Sequence, residues 1–288
     1  MKILMTAAAV AACALSAQST ALAQGAGASP LERGRYLVEG IAACGNCHVG
    51  VNAKGAPDPS KGMSGGRVFP TPAFKAYAPN ITPDPDTGIG KWTDAQLGKA
   101  IREGVRPDGS VIGPPMPIHF LRVVSDQDLA AMVAYLRAQP PVRNAVAKSQ
   151  YKMKLPPSYG PPLPGVSAPP PSDTVAYGGY LASMGHCLEC HTPMVKGQPD
   201  MARMGSGGRT FDGPWGQSLS LNVTPHESGL KNWTDAQVTR AIREGIDKNG
   251  GRLKPPMAYA SYAKVSDADM SAVIAYLRSL KPLPFAGK

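Results

Sequence analysis

One block of sequence occurs twice, and that duplication restricts the chain to an architecture of two like units. Gly65-Gly66-Arg67-Val68-Phe69 recurs as Gly207-Gly208-Arg209-Thr210-Phe211, and Asn80-Ile81-Thr82-Pro83 as Asn222-Val223-Thr224-Pro225. Trp92-Thr93-Asp94-Ala95-Gln96 pairs with Trp233-Thr234-Asp235-Ala236-Gln237, and Ala100-Ile101-Arg102-Glu103-Gly104 with Ala241-Ile242-Arg243-Glu244-Gly245. The offset drifts only from 143 to 141 residues, so the halves read as two copies of one domain in tandem. At 288 residues the chain is long enough for both to bury a core. We place the domains at 24–145 and 173–288, after a leader at 1–23 and on either side of a linker at 146–172. Residues 139–172 hold ten prolines, which no helix can run through. This segment is predicted to be extended, semi-rigid and laid across the surface.

Within each copy the periodicity predicts helices. An apolar segment with Tyr36-Leu37-Val38, or Tyr180-Leu181, leads into a cysteine-bearing turn, which puts the cysteines at the end of the first helix. Thr93 with Gln96, and Thr234 with Gln237, form capping boxes for a helix ending near Gly104 or Gly245. A last helix starts at Ser125 or Ser266, carries acidic residues in its first turn and repeats apolar residues at helical spacing. The predicted fold class is therefore all-α, two tandem domains joined by a proline-rich linker.

Each copy carries CxxCH, as Cys44-Gly45-Asn46-Cys47-His48 and Cys187-Leu188-Glu189-Cys190-His191. That pattern is the attachment motif for a c-type haem. Two thiols three positions apart on one turn can form thioethers to the two vinyl groups of a porphyrin, and the adjacent imidazole then reaches its iron. The expected cofactors are two covalent haems on Cys44, Cys47, Cys187 and Cys190, with His48 and His191 as proximal ligands. A redox-active CxxC, a structural disulfide and half a zinc site are the competing readings. Duplication with a histidine after each pair weighs against all three, and 139 residues between Cys47 and Cys187 weigh further against zinc. Aromatic residues make up only 6% of the chain, so a flat porphyrin would complete each core.

Pro114-Pro115-Met116 and Pro255-Pro256-Met257 follow the proximal histidines by 68 and 66 residues. Prolines set the loop backbone without needing partners for their own nitrogens, which suits a loop that holds a thioether toward iron. Met116 and Met257 are the predicted distal ligands, and a His/Met pair raises the reduction potential relative to two imidazoles. His119 and His226 have Ala260 and Asp84 as their twins, so neither belongs to a device common to both domains. Met132 and Met270, on the last helices, read as core packing.

Lys2, an apolar stretch from Ile3 to about Leu15, and Ala21-Leu22-Ala23 before Gln24 have the layout of a cleaved secretory signal, which predicts a periplasmic protein. Cleavage removes Cys13 and leaves four cysteines for two haems. Val10-Ala11-Ala12-Cys13 loosely resembles a lipoprotein processing box, a rival reading of the leader. No later segment approaches about 20 uninterrupted apolar residues, so no transmembrane segment is expected, and membrane association through a partner is one route open to it. The net charge is +10. It divides into +4 over residues 24–150 (14 basic, 10 acidic) and +5 over 151–288 (15 basic, 10 acidic). With no run of five basic residues, this balance favours an acidic protein partner over nucleic acid.

Taken together, CxxCH, Gly-Gly-Arg, Asn-Ile-Thr-Pro, Thr-Gly-Ile-Gly-Lys-Trp-Thr-Asp, Arg-Glu-Gly and Pro-Pro-Met resemble the class I cytochrome c domains of multihaem subunits in periplasmic alcohol and aldehyde dehydrogenases and related molybdenum hydroxylases. The resemblance covers residues 32–142 and 177–282. It implies a helical cytochrome fold and a relay of electrons from a dehydrogenase to a respiratory acceptor, an oxidase or another cytochrome. It also implies that Trp92 and Trp233 lie near haem propionates and that Arg67 and Arg209 pair with those carboxylates. The chain has two CxxCH motifs where the most similar subunits usually carry three, so the resemblance leaves the partner open. The alternative function is a dihaem redox enzyme, a peroxidase or a thiosulfate dehydrogenase, which needs one open or unusual distal position.

Overall fold

Ser29 and Glu32 cap one another at the start of α1 (Pro30–Tyr36), the serine hydroxyl accepting from the Glu32 N–H at 3.3 Å and the carboxylate from the Ser29 N–H at 2.9 Å. The computed structural model describes residues 28–287, so the leader reading at 1–23, Cys13 included, lies outside the described residues. α1 continues as a π-helical turn, Leu37–Ile41, before α2 (Cys44–His48). α3 (Asp94–Glu103), α4 (Ile118–Leu121) and α5 (Asp126–Arg137) complete the first domain's helices. The second domain repeats them as α6 (Thr174–Met184), α7 (Cys187–Cys190), α8 (Asp235–Glu244), α9 (Tyr259–Tyr262) and α10 (Asp267–Ser279). Both predicted capping boxes form, and Gly104 and Gly245 end α3 and α8 at φ 69° and 68°.

In each domain the first helix packs on the last, α1 on α5 and α6 on α10. A Cβ on Gly34 would strike the carbonyl oxygen of Ala131, and one on Gly178 that of Ala272. Only glycine allows helix backbones so close.

The all-α expectation is corrected by the structure, which is 35% helical and contains several antiparallel sheets. The glycine- and proline-rich stretch after each CxxCH turn forms hairpins. β1 (Val68–Pro70) pairs with β2 (Phe74–Tyr77) in the register Val68 with Tyr77, and the linker adds β3 (Gln150–Tyr151) to the far edge of β2. In the second domain β4 (Met194–Val195) pairs with β5 (Gln198–Pro199), and β6 (Thr210–Gly213) with β7 (Gly216–Leu219). Lys196 and Gly197 turn β4 into β5 at φ 50° and 77°, the doubly left-handed geometry that matches strand twist. Aromatic residues such as Phe69, Phe74 and Phe211 sit in these strands, too few and too broken by proline to stand out as alternating runs.

Past β3, the linker lies over the first domain. Lys152 N–H donates to Ala73 O at 2.9 Å, Tyr159 Oη to Ile112 O at 2.7 Å, and Arg122 Nη2 to Pro161 O at 2.6 Å. One continuous apolar cluster then joins the two domains, with Leu37, Val38, Ile41, Leu181 and Met184 at 0–2% exposure near its centre.

Each domain also finishes the other's last helix. Tyr36 Oη donates to Asp269 Oδ2 at 2.8 Å and accepts from the N–H of Ser266, the N-cap of α10, at 3.0 Å. Its twin Tyr180 donates to Asp128 Oδ2 at 2.6 Å and accepts from the N–H of Ser125, the N-cap of α5, at 3.2 Å. Arg33 holds Asp128 in a two-pronged ion pair at 2.8 Å, whereas its twin position carries Tyr177. Burial pushes the Asp269 carboxyl up to about 6, against an ordinary value of 3.8, although Tyr36 and Arg33 pull it down.

Because the folded value is the higher one, the native state binds this proton more tightly than the unfolded chain. The cost of the buried charge is present in full above pH 6 and is relieved as pH falls through 6 toward 4. Lowering the pH from 7 to 5 should therefore raise the unfolding free energy of wild type over that of Asp269→Asn by on the order of 1 kcal/mol. Denaturant titrations of both proteins at the two pH values measure that difference.

Candidate haem sites

The cysteines do not end the first helix as expected; they sit on separate turns after a break in the chain direction. Ala43 and His186, each directly before the first cysteine, hold left-handed backbone at φ 48° and 44°. That conformation costs a side-chain-bearing residue roughly 1 to 2 kcal/mol and is held here in both copies. Burial pushes the Cys44, Cys187 and Cys190 thiols up to about 12 and raises Cys47 as well. A redox-active CxxC needs the opposite shift, toward thiolate.

His48 and His191 are oriented alike. Nδ1 of His48 lies 2.9 Å from Pro79 O, and Nδ1 of His191 lies 2.7 Å from Leu221 O. With Nδ1–H donating to a carbonyl, the neutral ring keeps its Nε2 lone pair for a metal. Burial lowers both imidazoles' proton affinity and so favours that neutral form. Gly65 and Gly207, at φ 75° and 71°, explain the repeated Gly-Gly-Arg, because a Cβ there would collide with the backbone at Pro79 or Leu221. Asn80 and Asn222 close the same segments. Each accepts from a threonine N–H two residues on at 2.9 Å and donates at 2.7 Å to the chain beyond the last helix, at Val142 O or Leu283 O.

In the second domain Cys187, His191 and Met257 line one small apolar cavity, walled by Ile41, Val223, Ile242, Tyr262, Met270, Val273 and Leu277. Their first-domain twins, Ile81, Ile101, Leu121, Leu129, Met132 and Leu136, belong to or pack against the central core, as do Cys44 and Met116. Met270 also faces the cavity, but its twin is Leu129, so the thioether found in both copies is that of the Pro-Pro-Met loop. Tyr151 Oη ties the first loop at Pro114 O, 3.0 Å, and Ser218 Oγ ties the second at Pro255 O, 2.6 Å. His119 is exposed and meets the ring of Tyr159 edge-on, while His226 bonds Ser228 at 2.8 Å.

The arginines lie against the attachment turns. Arg67 Nη1 donates to Asn46 O, and Arg209 Nη1 to Glu189 O at 3.0 Å, the same carbonyl in each CxxCH. Each guanidinium also stacks 5.2 Å from a phenylalanine centroid, Phe69 or Phe211. Trp92 and Trp233 are half-buried against the core, and their carbonyls accept from Arg137 and Arg278. Burial pushes Glu189, at the centre of the second turn, up to about 7.

These residues fit a covalent haem. Half-buried Cys187 from the CxxCH pair, an imidazole with Nε2 available and a thioether meet around an apolar space in which a polar ligand would go unsatisfied. The family described as cytochrome c matches the chain twice, over residues 31–140 and 175–281. The chain belongs to the cytochrome c family. A relative from Pseudomonas putida, one of the subunits of nicotinate dehydrogenase, is 31% identical over 90% of this chain and 22% of its own length. The cytochrome c subunit of alcohol dehydrogenase (quinone) from Gluconobacter oxydans is 32% identical over 91% of this chain and 57% of its own. A diheme cytochrome c-type protein of Cereibacter sphaeroides is 32% identical over 82% of this chain and 81% of its own. The chain thus spans about a fifth of the first relative and little more than half of the second. As a member of the family it carries covalently bound c-type haem with iron.

Intact mass of the mature holoprotein should exceed the polypeptide by two porphyrins, with no thiol left to alkylate. A Cys187→Ser, Cys190→Ser double variant should lose one porphyrin and keep the other.

Proposed function

We propose that this chain is a periplasmic dihaem cytochrome that relays single electrons from a dehydrogenase to a respiratory acceptor. His48 with Met116, and His191 with Met257, would hold the two irons. The observation that carries the reading is the meeting of Cys187, His191 and Met257 in one apolar cavity, built from parts that recur in the other domain. When bound, the haem iron supplies one-electron redox chemistry. The protein's part is to hold each imidazole through Pro79 O or Leu221 O, present a thioether on a rigid proline loop and keep water out with the aliphatic wall. Matching methionine loops in both domains support electron transfer over the dihaem peroxidase or thiosulfate dehydrogenase alternative, which needs one open or unusual distal position.

The relatives named as dehydrogenase subunits support a dehydrogenase as donor. Among the described residues no helix is long and apolar enough to cross a membrane.

Both ferric haems should be low-spin and methionine-bound. Met116→Ala should convert the first haem alone to an open or water-ligated state with a lower potential, and Met257→Ala the second alone. Absorption, electron paramagnetic resonance and redox titration read these outcomes; a bis-histidine or high-spin haem in wild type would refute the ligand assignment. With net positive charge on both domains, reduction by an acidic donor should slow roughly tenfold or more between 0.01 and 0.15 M salt, as the Debye length contracts from about 30 to about 8 Å. Stopped-flow measurements across that range test it, and a rate that is flat or rises with salt would assign the charge to solubility alone.

A further inference from the structure

The two sites share a wall. Ile41, from the first domain, lines the second domain's cavity beside Met257. Ala43, two residues on, packs against Ala258 and Tyr262, with Met257 and Ile242 flanking that contact. Asn46, inside the first CxxCH turn, reaches further still. Its Nδ2 donates at 3.3 Å to the carbonyl oxygen of Pro256, the peptide that leads directly into Met257. The carbonyl of Asn46 in turn accepts from Arg67, so the residue that reaches across is anchored from behind.

This reach is one-sided. Glu189 occupies the equivalent position in the second turn, and among the described residues its side chain makes no hydrogen bond to the first Pro-Pro-Met loop. Among the described residues, only the second Pro-Pro-Met loop receives a hydrogen bond from the other domain's attachment turn.

We propose that Asn46 is a positioning residue for the second iron. By holding the Pro256 carbonyl it keeps Met257 presented to its cavity, and it makes axial ligation at the second site depend on the attachment turn of the first. The inference rests on the His/Met reading given above.

The test compares wild-type holoprotein with Asn46→Ala, Asn46→Gln and Asn46→Asp. The readouts are the ring-current-shifted methyl signals of the bound methionines in the reduced protein and the two haem potentials. Met116→Ala and Met257→Ala assign which signal and which potential belong to each site. In Asn46→Ala the fraction of second haem lacking methionine should rise roughly two- to tenfold, the effect of losing one neutral hydrogen bond. The second potential should fall while the Met116 signal and the first potential stay in place. Asn46→Gln, which keeps the amide donor, should recover part of the loss, and Asn46→Asp should not. An unchanged Met257 signal and second potential in Asn46→Ala would overturn the proposal, as would equal losses at both sites, which would make Asn46 a support of the whole fold. Absence of the Met257 signal in wild type would overturn the ligand assignment along with it.

Discussion

Where α1 meets α5 and α6 meets α10, glycine removes the side chain that would otherwise hold the helices apart. Backbone contact at Gly34 and Gly178 sets the separation of the helices, and with it the position of everything a residue or two further on. Tyr36 and Tyr180 follow their glycines by two residues, which sends one hydroxyl from each domain to the opposite helix cap. The left-handed residues and the attachment turns come next along the chain. A shift at the crossing would be passed on to the tyrosine and, across a break of only a few residues, to the cysteines and the histidine.

The twin features and the unmatched ones fall in different places. Parts that hold a histidine, clamp the CxxCH backbone or close the segment after it occur in both domains with nearly the same distances. Differences gather at the junction, where Arg33 faces Tyr177 in the alignment of copies, Asn46 faces Glu189, and the linker's Tyr151 does what Ser218 does in the other half. Two sites built from the same parts therefore sit in unlike electrostatic surroundings. The second has carboxyls at Glu189 and Asp269 whose proton affinity burial raises, while the first has an amide and an arginine-paired aspartate. A duplicated chain gains directionality through such departures from its own repeat.

Much of this was legible before any coordinates. The capping boxes of Thr93 and Thr234, the starts at Ser125 and Ser266 and the glycine stops are local codes, so they survive translation into structure. The CxxCH, Gly-Gly-Arg and Asn-x-Thr segments could be paired by repetition alone. The hairpins were missed because their strands are four residues or fewer and are interrupted by proline and glycine, which erases the alternation that marks a strand. The carbonyls that orient His48 and His191 were hidden for a different reason: a backbone oxygen has no residue-type signature. Arg67 and Arg209 stood out as repeated, but only geometry shows them on the attachment turn. Nothing local in Tyr36 or Asn46 announces a partner more than 200 positions away.

The exchanged tyrosines bear on what either half lacks alone. The N-terminus of α5 takes its outside hydroxyl from Tyr180, so residues 30–137 alone cannot complete that cap. α6 brings Asp128 the Tyr180 hydroxyl in addition to Arg33, and across the same junction Tyr36 reaches Ser266 and Asp269. Each unit therefore completes the other, and a chain truncated after the linker would lack the hydroxyl at the N-terminus of α5 however well its own half had folded.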